Sequence, residues 1–176
     1  MEAIIPTENE LKFVLNLDCE KQIKKHADKY SFLKQAYLDH SHIRIRRIEE
    51  KNKKHVFQFC YKHHAPHRLI EIETDIDDRD FNDLWEDASS RLEKIRYELS
   101  FKKNIWVVDF FKTKNGNTYF AQAEHEMPEK QLKPLFIPDI IAENLVYEVP
   151  HSDGRFTSRK LWNVEYAKKL YDIIRR

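Results

Sequence analysis

Along much of this chain a charged side chain recurs at every second position, with apolar residues between. Ile43 and Ile45 alternate with Arg44 and Arg46, Ile70 and Ile72 with Glu71 and Glu73, and Ile95 and Tyr97 with Lys94 and Arg96. Side chains of an extended strand point alternately to its two faces, so each charged set shares one face and its apolar partners the other. The rhythm opens the sequence too: Glu8, Glu10 and Lys12 share a face, the last inside an otherwise apolar run from Leu11 to Leu15. Strands are predicted at about 8–17, 34–39, 42–49, 54–62, 69–76, 91–100, 104–112, 118–126 and 143–149. Asn115-Gly116-Asn117 between apolar runs marks a hairpin, and Ala65-Pro66 and Ser152-Asp153-Gly154 mark turns.

Helical spacing is rarer. Glu20 to Tyr30 reads as a short basic helix. Asp78 to Ala88 spaces Phe81, Leu84 and Trp85 as a helix does. From Thr157 to Arg175, with Ser158 at its cap, Leu161, Val164, Ala167, Leu170, Tyr171 and Ile174 form an apolar stripe. The prediction is a mainly β (α+β) fold, an eight-stranded antiparallel closed barrel with peripheral helices, in one domain over 1–176.

Solvent-facing strands also alternate charge with Ile. Here, however, charges of one sign are grouped: acids at Glu71/Glu73 and Glu124/Glu126, bases at Arg44/Arg46 and Lys94/Arg96. Like charges side by side repel and call for compensation by groups of opposite sign. Folded inward, Glu8, Glu10, Glu71, Glu73, Asp109, Glu124 and Glu126 would gather a hard divalent cation such as Mg²⁺ or Mn²⁺, which prefers oxygen ligands. Lys12, Arg44, Arg46, Lys62, Lys94 and Arg96 would clamp phosphate oxygens.

Composition sharpens this picture. Charged residues reach 35%, yet Lys+Arg 31 against Asp+Glu 30 is too balanced for a generic nucleic-acid or membrane-surface binder. Cys19 and Cys60 form no disulfide framework and match no metal spacing, which favours a reducing compartment. No apolar run reaches the length of a bilayer-crossing helix, and Met1 to Thr7 lacks the regions of a signal peptide, so a cytoplasmic protein is expected.

These residues, taken in order, resemble the CYTH or triphosphate tunnel metalloenzyme superfamily, whose hallmark on the first strand is ExExK, here Glu8-Asn9-Glu10-Leu11-Lys12. Gln35-Ala36-Tyr37-Leu38 with Arg44-Ile45-Arg46 is similar to the family's Q-G-Y-L and R-x-R segments. Lys62 falls ahead of the acidic strand Glu71-Ile72-Glu73. Lys94-Ile95-Arg96-Tyr97 resembles K-x-R-Y, Asp109 the acidic residue of the next strand, and Glu124-His125-Glu126 the late E-x-E. Arg155 to Leu161 resembles R-Y-x-N-x-x-L before the last helix. The chain departs from the pattern at Leu69, where a base is common, and at Ala36 and Ser158, which replace Gly and Asn.

The resemblance implies an eight-stranded tunnel that holds a triphosphate end-on beside one or two Mg²⁺ or Mn²⁺ ions. It implies metal on Glu8, Glu10, Glu71, Glu73, Asp109, Glu124 and Glu126. Substrate would lie on Lys12, Arg44, Arg46, Lys62, Lys94, Arg96 and Arg155, with Glu8, Glu10, Lys12 and Lys94 as the catalytic set. Local strings look most like short bacterial triphosphatases, which favours inorganic triphosphate as substrate, split to pyrophosphate and phosphate. A class IV-type adenylyl cyclase, a nucleoside or thiamine triphosphatase, and a non-catalytic polyphosphate-binding module are the alternatives. No membrane or nucleic-acid partner is expected, and the chain would act as a monomer or homodimer. His63, His64 and His67 are read as a solvated hairpin loop, Lys51 to Lys54 as a hairpin tip, and Phe81 with Trp85 as helix-to-barrel packing.

Overall fold

The computed structural model describes residues 9–38, 42–66, 68–102, 104–128, 131, 133–151 and 153–176. Nine strands follow one another: β1 Glu10–Leu15, β2 Lys29–Tyr37, β3 Ile43–Glu49, β4 Val56–Ala65, β5 Arg68–Asp75, β6 Ser90–Phe101, β7 Asn104–Lys112, β8 Thr118–Glu126 and β9 Leu145–Val149. The helices are α1 Glu20–His26, α2 Asp78–Asp87, α3 Asp139–Ala142, α4 Ser158–Leu161 and α5 Val164–Ile174. Antiparallel pairing makes a single sheet in the order β5-β4-β3-β2-β6-β7-β8-β1-β9.

Hairpins account for most of this order, and two of their turns use residues suited to a positive φ, Asn52 between β3 and β4 (φ 61) and Gly116 between β7 and β8 (φ 81), while Lys102 takes φ 59 between β6 and β7. The Lys51–Lys54 tip is exposed as expected. Three pairings are not hairpins. β2 reaches across to β6, and β1 lies between β8 and β9.

The period of two sorts the side chains cleanly. Leu11, Phe13 and Leu15 of β1, Tyr97 and Leu99 of β6, Trp106, Val108 and Phe110 of β7, and Ala121 and Ala123 of β8 pack with Ile23 of α1 and Ile141 of α3 in the main outer core. α2 covers the neighbouring outer patch, where Phe81 meets Ala36, Ile45 and Ala88, and its ring stands 5.3 Å from that of Phe57. Phe81 and Trp85 are therefore packing residues, as their helical spacing implied. On the inner face, one end is filled by Val14, Phe111, Phe120 and Val149 packed against Phe156, Leu161, Ala167, Leu170 and Tyr171 of the C-terminal segment.

The structure corrects several expectations. The sheet has nine strands rather than eight, and no ladder among the described residues joins its edges β5 and β9, so hydrogen bonding does not close a barrel. β9 has only five residues, and beyond it the chain turns in against the inner face instead of extending that edge. The first helix stops at His26, and Tyr30 already belongs to β2, whose extra residues pair Lys29 with Glu98 and Ser31 with Arg96. The last helix is two: α4 ends at Leu161, and Asn163 starts α5 by accepting a hydrogen bond from the Tyr166 N–H at 3.0 Å. His63 and His64 lie in β4, not in a loop, while His67 falls outside the described residues.

Candidate functional site

The inner-face positions of β1, β2, β3, β4, β6 and β8, with the start of α4, surround a cleft of about 400 Å³. That is within the range of small-ligand sites. Eight of the residues singled out in the sequence line it: Glu10, Lys12, Arg44, Arg46, Lys62, Lys94, Arg96 and Glu124. They come together because each sits in phase with its strand's inward face and the sheet curls, bringing distant strands opposite one another.

Beneath the cleft floor Asp109 ties two cations together. Lys94 Nζ lies 2.5 Å from Asp109 Oδ2, and the Arg96 guanidinium forks onto the same carboxylate, Nε to Oδ1 and Nη2 to Oδ2, both at 2.7 Å. Lys94 and Asp109 are each 1% exposed. Burial alone would push the Asp109 carboxyl up, but Arg96 and Lys94 overcome it and hold the carboxyl well below the usual carboxylate range. Burial lowers Lys94 to about 8, with Asp109 opposing and Arg96 adding to the fall. Arg46 is lowered to about 10, by burial first and then by Arg44 and Arg96. Like charges crowded in a low-dielectric space put these cations under a strain that an anion would relieve.

β1 and β8 carry the acidic wall. Lys12 Nζ sits 2.6 Å from Glu10 Oε1 and 3.8 Å from Glu124 Oε1. The Gln122 amide donates to Glu124 Oε1 at 2.7 Å and fixes it. Burial, and then the charge of Glu124, raise the Glu10 carboxyl despite Lys12. For Lys12 burial works downward, but Glu124 and Glu10 together push the ammonium up. A second polar chain crosses β2 and β3: Arg46 Nε donates to Gln35 Oε1 at 3.0 Å, and Gln35 Nε2 to the Tyr37 hydroxyl at 2.6 Å.

The other predicted residues lie elsewhere. Glu71 and Glu73 are exposed on the edge strand β5 and flank the cleft, Glu73 3.4 Å from Arg44 and Glu71 3.9 Å from Lys62. Cys60 donates its S–H to Glu71 at 3.7 Å, and Cys60, Glu71 and Glu73 hold ligand atoms within 4.8 Å of one another. Glu126 is exposed at the end of β8, and Glu8 falls outside the described residues. Arg155 does not line the cleft; it forks onto Asp153, with Nη2 to Oδ2 at 2.7 Å.

Sequence reasoning missed Gln35, Tyr37, His42, Cys60, Thr157, Ser158 and Arg159 as lining residues. For Gln35, Tyr37 and Cys60 the period of two was the available signal, since each is in phase with a charged neighbour on its own or the paired strand. His42, just before β3, is likewise in phase with Arg44 and Arg46, and its ring lies beside that of His63 in β4, with nitrogens 3.2 Å apart.

No family model and no curated protein matches the chain. Solved structures do. The inorganic triphosphatase NE1496 is 21% identical, with a TM-score of 0.54 over 88% of this chain and 96% of that one. A second structure of NE1496 gives 22% and 0.55, over 88% and 97%. The PH1819 protein from Pyrococcus horikoshii OT3 is 18% identical, with a TM-score of 0.50 over 97% of this chain and 94% of that one. At these identities the likeness is one of fold alone.

Proposed function

We propose that the protein is a divalent-metal-dependent triphosphatase of the CYTH or triphosphate tunnel type, and that it hydrolyses inorganic triphosphate to pyrophosphate and phosphate. The observation that carries this reading is the convergence of Lys12, Arg44, Arg46, Lys62, Lys94 and Arg96 on one cleft that Glu10 and Glu124 also line. A compact polyanion fits the cationic side. The fold shared with an inorganic triphosphatase adds support.

The acidic wall suits Mg²⁺ or Mn²⁺. Its donors are hard carboxylate oxygens, and the Glu10 carboxyl is raised by burial first and then by the charge of Glu124, both of which a bound cation would offset. Glu10 and Glu124 would hold the ion, with Glu126 farther along the same face of β8 and Glu71 and Glu73 at the far rim. Bound there, it would polarise phosphoryl oxygens as a Lewis acid.

The chain's own groups do the rest. Arg44, Arg46 and Arg96 fork onto non-bridging oxygens, and Lys12, Lys62 and Lys94 add point charges. As water oxygen bonds to the terminal phosphorus and the bond to the bridging oxygen breaks, negative charge grows on the leaving pyrophosphate. Fixed cations facing that oxygen stabilise it. Asp109 keeps Lys94 and Arg96 in place, so little reorganisation accompanies the step. Arg44, whose pair with Glu73 is long and partly exposed, can turn to substrate at small cost.

The test is a panel of tripolyphosphate, ATP, GTP, thiamine triphosphate and pyrophosphate with Mg²⁺, Mn²⁺ and Ca²⁺, every product being measured. Tripolyphosphate should be the preferred substrate, and Lys12→Ala or Glu10→Ala should abolish turnover with the circular dichroism spectrum unchanged. Cyclic AMP from ATP would establish a cyclase instead. Tight binding without turnover of any triphosphate would leave a binding module.

A further inference from the structure

Resting on the metal-dependent triphosphatase reading, we propose that Gln122 is a positioning residue of the metal site, which orients Glu124 without neutralising it. Phe120, Gln122 and Glu124 share the inward face of β8 and run from the packed end to the cleft. Gln122 is 1% exposed. Its Nε2 donates to Glu124 Oε1 at 2.7 Å, whereas the cations beside that carboxylate stand farther off, Lys12 3.8 Å from Oε1 and Arg96 3.7 Å from Oε2. An amide donor fixes a carboxylate and leaves its charge intact.

Asp109, opposite Gln122 in the β7–β8 ladder, shows the contrary arrangement. Cations meet both of its oxygens, so its charge is already balanced inside the protein. Glu124, held by a neutral donor, keeps its charge for a hard cation, and a ligating carboxylate oriented by a hydrogen-bonding neighbour is the usual outer arrangement of a metal site. Gln122 itself is an unfavourable choice for stability. Its Oε1 is buried with no hydrogen-bond partner among the described residues. An orphaned buried acceptor is destabilising, and an apolar side chain of similar size opposite Val14 and beside Phe120 would avoid that penalty. A local rule broken next to a candidate metal ligand marks a group retained for the site.

The experiment compares wild type, Gln122→Met, Gln122→Leu and Glu124→Gln. Mn²⁺ is titrated into metal-free protein by calorimetry, tripolyphosphate is titrated separately, and melting temperatures are recorded with neither present. Loss of an outer hydrogen bond to a metal ligand corresponds to about 10- to 100-fold in metal affinity. Gln122→Met and Gln122→Leu should weaken Mn²⁺ binding by that factor, and Glu124→Gln by at least as much, with a smaller change in tripolyphosphate binding. Both Gln122 variants should melt at or above the wild-type temperature, which loss of a merely structural residue would not produce. Wild-type Mn²⁺ affinity in the folded Gln122 variants would overturn the assignment and leave the triphosphatase reading intact. Weaker Mn²⁺ binding together with a lower melting temperature in both would make Gln122 a packing residue and overturn it too. A wild-type protein that binds no Mn²⁺ would overturn both the assignment and the metal-dependent reading.

Discussion

Asp109 sits where a hydrophobic residue would ordinarily fill the floor of a sheet, and it survives there because both of its oxygens meet cations. Removing one member of such a buried group leaves the others charged and unpaired, which costs about 3–5 kcal/mol. Asp109→Asn should therefore lose stability of that order in urea unfolding at pH 7. The pH dependence follows from the sign of the shift. The carboxyl titrates lower folded than unfolded, so its stabilisation is complete above the ordinary carboxylate range near pH 4 and is lost as pH falls below it. Wild type should show a steep acid limb in melting temperature below about pH 4, and Asp109→Asn a flatter one. Equal slopes would remove Asp109 as the organiser of Lys94 and Arg96. The same geometry bears on the metal set that the resemblance implies: two oxygens already occupied by Arg96 and Lys94 make Asp109 a better counter-ion than ligand.

Among the elements, the C-terminal pair α4 and α5 matters most to the site, because it fills one end of the inner face and presents Ser158 and Arg159 to the cleft. The break between the two helices rests on Asn163, whose side chain caps α5. Asn163→Ala should cost about 1 kcal/mol, or roughly 2–4 °C in melting temperature for a chain of this size, measured by calorimetry. An unchanged melt would mean that packing of Leu170 and Tyr171 alone sets the join. The edge strand β5 is guarded by charge, with Glu71 and Glu73 exposed along it, a composition that discourages pairing with another sheet.

At the scale of the whole molecule, apolar side chains on the outer face and at one end of the inner face hold a charged cleft between them. Such a cleft is electrostatically costly when empty, so an anion that binds only the folded state should stabilise the protein. Tripolyphosphate at about a hundred times its dissociation constant should add about 2.7 kcal/mol, seen as a rise in melting temperature. Added salt should shrink that rise through screening. A melt indifferent to tripolyphosphate at low ionic strength would contradict a polyanion site. No helix among the described residues is long and apolar enough to cross a membrane.

The sequence by itself determined the strand phases. Because a strand has two faces, Glu10 with Lys12, Arg44 with Arg46 and Lys94 with Arg96 had to point together, and the ordered motifs carried by those faces made the fold legible. It also placed α2, whose apolar spacing matches its packing on Ala36 and Ile45. Periodicity is local, however, and says nothing of what lies across a cavity. Only the tertiary structure decided that no ladder among the described residues joins β5 to β9, that Asp109 faces cations, and that Arg159 reaches the cleft. Each of these follows from which distant segments the curled sheet and the inward-turned C-terminus bring within a few ångströms, a matter of long-range packing that no spacing along the chain encodes.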